Sequence, residues 1–196
     1  LASNLGIVEL TIALHYVFDA PKDKFVFDVS HQTYCHKMLT GRKAAFIKKE
    51  NYKDVTGFSN PKESEYDLFA LGHTSTSVSL ACGLAKARDL KHDSENVIAV
   101  IGDASLDGGE AFEALNCAAE INSNLIVVIN DNEMSIPENH GALGRHLKQL
   151  KESAGKQKDN FFKALGFEYH LIENGNDLES VIKAVSYTHL RAHETS

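Results

Sequence analysis

Two stretches of the chain are apolar at every position, Val97-Ile98-Ala99-Val100-Ile101 and Leu125-Ile126-Val127-Val128-Ile129, and both have strand length. Phe25-Val26-Phe27-Asp28-Val29 is a shorter β-prone run that ends at Ser30-His31. Helical spacing marks the intervening segments. After Ser3-Asn4, residues Val8, Leu10, Ile12, Ala13, Leu14, Val17 and Phe18 predict an amphipathic helix. From Thr76 to Leu90 small and apolar residues (Val78, Leu80, Ala81, Gly83, Leu84, Ala85) predict a closely packed, buried helix, and Ala111, Phe112, Leu115 and Ala119 share one face of a helix over 109–120. The C-terminal part reads as a helix over 159–165 stopped by Gly166, a strand over 168–172, and a helix from Asp177. Residues 41–72 are polar and irregular, a long connection of the kind that is usually functional inside a compact domain. Strands apolar throughout and separated by helices predict a parallel sheet covered on both faces, so the fold class is α/β.

That architecture directs attention to particular residues. In open parallel sheets ligands sit beyond the carboxyl ends of the strands, so the residues after Val29, Ile101 and Ile129 are the candidates for chemistry. Gly102-Asp103-Ala104-Ser105 and Gly108-Gly109 follow one strand, and Asn130-Asp131-Asn132-Glu133-Met134-Ser135-Ile136 follows the next. Asp103 and Asn132 are 29 residues apart, the length of one βαβ step, whose right-handed crossover brings both strand ends to the same edge. A carboxylate, an amide oxygen and a backbone carbonyl are hard ligands that can hold Mg²⁺ and leave positions for phosphate and water. Backbone N–H groups at Ala104 and Ser105, near a helix start, can face phosphate oxygens. The same residues also read as a helix cap followed by a turn.

Composition narrows the choice. The 196 residues carry 20 Lys+Arg against 27 Asp+Glu, a formal charge of −7, which has the wrong sign for a nucleic-acid or anionic-membrane partner. No run approaches the ~18 apolar residues of a spanning helix. Cys35, Cys82 and Cys117 have no CxxC spacing and are odd in number, which argues against a disulfide framework and fits a reducing cytoplasm. There is no initiator Met, so the chain is expected to start within a longer protein. The tail from Ser186, SYTHLRAHETS, resembles a translated sequencing adapter; residues 186–196 are therefore set aside as artefactual, leaving 1–185 as a partial domain.

The segments GDASLDGGEAFEALNCAAEINSNLIVVINDNEMSIPENHGAL, ASNLGIVELTIALHYVFDAPKDKFVFDVSHQTYCHKMLTGR and SEYDLFALGHTSTS together resemble the 1-deoxy-D-xylulose-5-phosphate synthases of the transketolase-like thiamine-diphosphate superfamily. The resemblance covers Ala2 to about Ala184 and lies in the amino-terminal, diphosphate-binding domain of that family. It implies a transferase that condenses pyruvate with glyceraldehyde 3-phosphate with loss of CO₂, for isoprenoid precursor, thiamine and pyridoxal biosynthesis. It also implies thiamine diphosphate and Mg²⁺ as cofactors and a cytoplasmic homodimer. Asp103, Asn132 and the Met134 carbonyl match metal ligands. Ala104, Ser105 and Asn132 match cofactor contacts, as do Gly72, His73 and Thr74. His31 matches a cofactor-contacting histidine at the cofactor and substrate end of the pocket, and His31 and His73 are the candidate catalytic residues. Four residues depart from the family pattern: Ala104 and Ser30 replace glycines, Cys35 a proline, and Thr74 a serine. If residue 104 requires a positive φ, Ala104 is strained by about 1 kcal/mol.

The glutamate that assists the cofactor belongs to a second domain, so this chain alone is expected to be inactive. Another transketolase-like enzyme, or a non-catalytic module derived from one, stays open beside this reading. His15, His92, His146 and His170 carry no assigned role, Cys35 reads as a buried apolar residue, and the lysines at 48–49 and 148–158 read as solvated faces.

Overall fold

In the computed structural model, which describes residues 2–131 and 141–194, the three apolar runs become the three strands of one parallel sheet in the order β1-β2-β3. The elements are α1 (Ala2–Leu5), α2 (Val8–Val17), β1 (Lys24–Phe27), α3 (Tyr34–Lys37), α4 (Ala44–Ile47), α5 (Ser77–Lys91), β2 (Val97–Gly102), α6 (Asp103–Leu106), α7 (Gly109–Ile121), β3 (Leu125–Asn130), α8 (Ala142–Glu152), α9 (Phe161–Ala164) and α10 (Leu178–Glu194). Phe27 pairs with Val100, and Gly102 with Asn130, so the three strands end at one edge.

Alternation along the strands sends neighbouring side chains to opposite faces and makes two cores. Val26, Val97, Ala99 and Ile101 pack with α5, α7 and α8 on one face. Phe25, Phe27, Ile98 and Val100 pack with α2 and α10 on the other. Helices therefore cover both faces, as the unbroken apolar runs predict. Leu143, Leu147 and Leu150 form the buried stripe of α8, a helix the sequence analysis leaves out.

The expected strand over 168–172 does not form. These residues are irregular, and a cavity of about 1030 Å³ separates them from β3. The reason lies in the side chains: Tyr169 stacks on Phe162 with ring centroids 5.6 Å apart and planes at 4°. Tyr169 thus packs on α9 without a backbone ladder.

The expected boundary at residue 185 falls inside a helix. Helix α10 runs on to Glu194, and the Tyr187 ring meets His170 edge-on at 5.3 Å. A helix is held by bonds within its own segment, so a change of composition does not end it. Among the described residues no helix is long and apolar enough to cross a membrane.

Candidate functional site

Each strand is followed at once by an aspartate: Asp28 after β1, Asp103 after β2, Asp131 after β3. The first is structural. Asp28 is buried, and its two carboxylate oxygens accept the backbone N–H groups of Ser75 and Ser77, each at 2.8 Å. This fixes the start of α5, and the preceding loop with Gly72, His73 and Thr74, to the end of β1. Ser75 in turn donates through Oγ to the Ser105 carbonyl at 2.7 Å, joining that loop to α6. Ser75 holds a positive φ of 70°, and a Cβ on Gly108 would run into its side chain. The glycine at 108 is thus required by close approach.

Gly72, His73 and Thr74 are exposed at this edge. His73 Nδ1 lies 2.8 Å from the Thr74 carbonyl, which places the neutral ring's proton on Nδ1 and leaves Nε2 to accept.

His31 emerges from a strained turn. Val29 and Ser30 both have positive φ, 55° and 67°. The left-handed backbone thus falls at Val29 and Ser30, while Ala104 sits in α6 without positive φ, so the strain considered for Ala104 does not arise. Ser30 offsets the strain through its hydroxyl, which accepts from the Ser59 N–H at 2.8 Å. His31 Nδ1 is buried and has no hydrogen-bond partner. Burial lowers the His31 pKa, and Asp28 opposes that shift.

Asp103 is buried at the start of α6, where its carboxylate accepts the N–H of Ala104 and its own. The Ala104 N–H is therefore engaged by Asp103. Ala104 is exposed and Ser105 buried. Burial, and secondly the Asp131 charge, raise the Asp103 pKa. Lys151 reaches over from α8 to Asp131 Oδ2 at 3.0 Å, which corrects its reading as a solvated lysine. Two hard carboxylates at neighbouring strand ends, one with its proton affinity raised by burial and like charge, are a donor set that suits a divalent cation. Asn132 and Met134, the other expected ligands, lie outside the described residues.

The structure thus brings His31, Gly72–Thr74 and Asp103–Ser105 to one edge of the sheet. Asp28, Ser75, Asp131 and Lys151 are the residues that sequence reasoning missed there. The signal was present for two of them: a charged residue directly after an apolar strand.

Behind His31 lies a buried polar cluster that positions the long 41–72 connection. Lys37 has no exposed surface and donates to the carbonyls of Thr56 (3.0 Å) and Phe58 (2.6 Å) and to Glu63 Oε2 (2.6 Å). Arg42 grips Asp67 with two bonds of 2.7 Å, and Asp67 also meets His36 at 3.3 Å. His15 closes the chain of contacts 2.9 Å from His36. Cys35 is buried, with its thiol pKa raised first by burial.

Comparison with known proteins identifies the family. The family profile described as 1-deoxy-D-xylulose-5-phosphate synthase matches residues 1–158. The enzyme of that name from Desulforudis audaxviator is 58% identical over 151 residues, covering 77% of this chain and 24% of the relative. Those from Carboxydothermus hydrogenoformans and Syntrophomonas wolfei are 55% identical over 162 residues and 46% over 221, covering 81% and 94% of the chain and 26% and 34% of the relatives. The chain spans about a quarter to a third of the length of these relatives. A family match over most of the chain and relatives 46–58% identical to it lead to one conclusion: the chain belongs to the 1-deoxy-D-xylulose-5-phosphate synthase family.

Proposed function

We propose that this chain is the diphosphate- and metal-binding part of a thiamine-diphosphate-dependent transferase that condenses pyruvate with glyceraldehyde 3-phosphate, releasing CO₂ and supplying isoprenoid precursors. The observation that carries the reading is the common strand edge, where Asp103 stands beside Asp131 and is tied through Ser105 and Ser75 to the His73 loop. Asp103 is the charged ligand for Mg²⁺, completed by Asn132 and the Met134 carbonyl. Ala104, Ser105, Gly72 and Thr74 border the cofactor. When bound, thiamine diphosphate supplies the electron sink that makes decarboxylation and carbon–carbon bond formation accessible.

The side chains of this chain orient and hold protons. His31 holds a buried, unpartnered Nδ1 just beyond the end of β1, and burial favours its neutral form. His73 keeps its proton on Nδ1 toward Thr74 and presents Nε2 as an acceptor. Metal and diphosphate neutralise each other, which lets an acidic chain bind a multiply charged anion with few lysines. The remaining parts of the reading are a homodimeric, cytoplasmic enzyme and an activating glutamate outside this chain.

Calorimetric titration of thiamine diphosphate into the full-length protein, with and without Mg²⁺, tests it. Asp103→Ala should abolish the Mg²⁺-dependent binding while circular dichroism stays unchanged. Parent-like binding by that variant would remove Asp103 from the metal site. The parent protein should also release CO₂ from pyruvate only when glyceraldehyde 3-phosphate and cofactor are present, and the 196-residue chain alone should release none.

A further inference from the structure

Helices α5 and α7 pack through small side chains. Ala81 and Ala85 on α5 and Ala111, Ala114 and Ala118 on α7 are all buried at this contact. Alanine-lined interfaces let helix axes approach toward the short end of the usual 8–10 Å range. Two cysteines sit on this seam. Cys82 is buried on α5, and its Sγ lies 3.7 Å from the Ala114 carbonyl. Cys117 is one turn beyond Ala114 on α7 and is exposed. Cys117 therefore lies one turn from the carbonyl that Cys82 Sγ contacts, close enough to act on the Cys82 thiol.

We propose that Cys82 and Cys117 are a reversible redox pair, closed to a disulfide by a hydroperoxide and reopened by a dithiol. Neither the site chemistry above nor the family assignment involves these residues, so the proposal stands or falls apart from them.

The roles of the two sulfurs differ because their surroundings differ. Cys117 faces solvent and is the thiol that a hydroperoxide reaches. Burial, reinforced by the neighbouring Cys117, pushes the Cys82 thiol up to about 11, so Cys82 is a poor first nucleophile. In the first step the Cys117 thiolate attacks a peroxide oxygen. The O–O bond breaks, the alcohol or water leaves, and Cys117 becomes a sulfenic acid. In the second step Cys82 attacks the sulfenic sulfur, its proton goes to the departing oxygen, and water leaves as the S–S bond forms. Two electrons and two hydrogens pass from the thiols to the hydroperoxide. A disulfide needs a Cα separation of about 4.4–6.8 Å; the alanine-lined seam lets the two helices approach closely, and the exposed Cys117 side chain can rotate inward to meet its partner.

The same closure is not available to Cys35. It is buried beside α2, with Sγ 4.0 Å from the Val8 carbonyl, in a different part of the fold.

The test treats the full chain with hydrogen peroxide under native conditions, alkylates the remaining thiols, and maps non-reduced peptides by mass spectrometry. The expected product is an intramolecular Cys82–Cys117 cross-link, lighter by two hydrogens, with Cys35 alkylated and the cross-link lost in dithiothreitol. Cys82→Ala should leave a Cys117 sulfenic acid that dimedone traps, and Cys117→Ser should protect Cys82 from oxidation. A parallel reaction in concentrated urea should give a mixture of the three pairings. If the native reaction gives that same mixture, a Cys117–Cys117 intermolecular bridge, or only over-oxidised Cys117, the pair is not a redox device.

Discussion

Lys37→Met is the most informative single substitution in the scaffold behind the site. The two side chains have similar length and volume, so the change removes a charge and three hydrogen bonds while leaving packing nearly intact. In the parent, the ammonium is fully buried between the carbonyls of Thr56 and Phe58 and the Glu63 carboxylate. Removing it strands the Thr56 carbonyl, leaves the Phe58 carbonyl with Thr56 Oγ1 alone, and leaves Glu63 with Thr56 and long contacts to Asn60 and Arg42 at 3.4 and 3.5 Å. Breaking one side of a buried ion pair costs about 3–5 kcal/mol. With a urea m-value of about 2 kcal/mol/M, the midpoint should fall by roughly 2 M at unchanged slope.

The double variant Lys37→Met/Glu63→Gln should recover part of that loss, because the uncompensated carboxylate is gone. The local consequence can be read separately. Ser59 N–H, which holds Ser30 Oγ behind His31, should exchange with solvent much faster in Lys37→Met than in the parent. A Lys37→Met midpoint within about 0.5 M of the parent would show that the buried ammonium does not organise the 41–72 connection, and the reasoning would be wrong.

Other outcomes follow from single contacts. Asp28→Asn keeps the shape but gives one of its two partners, the N–H groups of Ser75 and Ser77, an amine to face; it should destabilise the chain by about 2–4 kcal/mol in chemical denaturation and expose those two amides to exchange, whereas a loss below about 1 kcal/mol would separate the loop from β1. For His15, burial first and the nearby His36 second lower the pKa from 6.5 to about 4. The unfolded chain therefore takes up the proton first, so this contribution is complete above about pH 6.5 and drains away as pH falls toward about 4. His15→Gln should flatten the stability-against-pH curve in that window, and an unaltered slope would assign the dependence elsewhere. His36 and Asp67, which face His15 along the same cluster, remain in both proteins.

The unbroken apolar runs at 97–101 and 125–129 determined the parallel sheet and its two helical covers, because only strands buried on both faces can dispense with polar positions. The same logic located Asp103 at a strand end, since a βαβ step has a fixed hand and returns each strand to the same edge. These are consequences of local pattern and chirality, and the sequence carries both. The strand expected over 168–172 instead placed Tyr169 on the Phe162 ring, because a local run of β-prone residues leaves open what buries them.

What only the tertiary structure decided are the contacts between residues far apart in the chain. Asp28 meets Ser75 and Ser77, Lys37 meets Glu63, Ser30 meets Ser59, Lys151 meets Asp131, and Cys82 meets Cys117. None of these pairs shares a helix turn or a strand register, so no periodicity announces them. They exist because buried polar groups must find partners wherever the packed fold brings one within about 3 Å, and that distance is set by the whole chain at once.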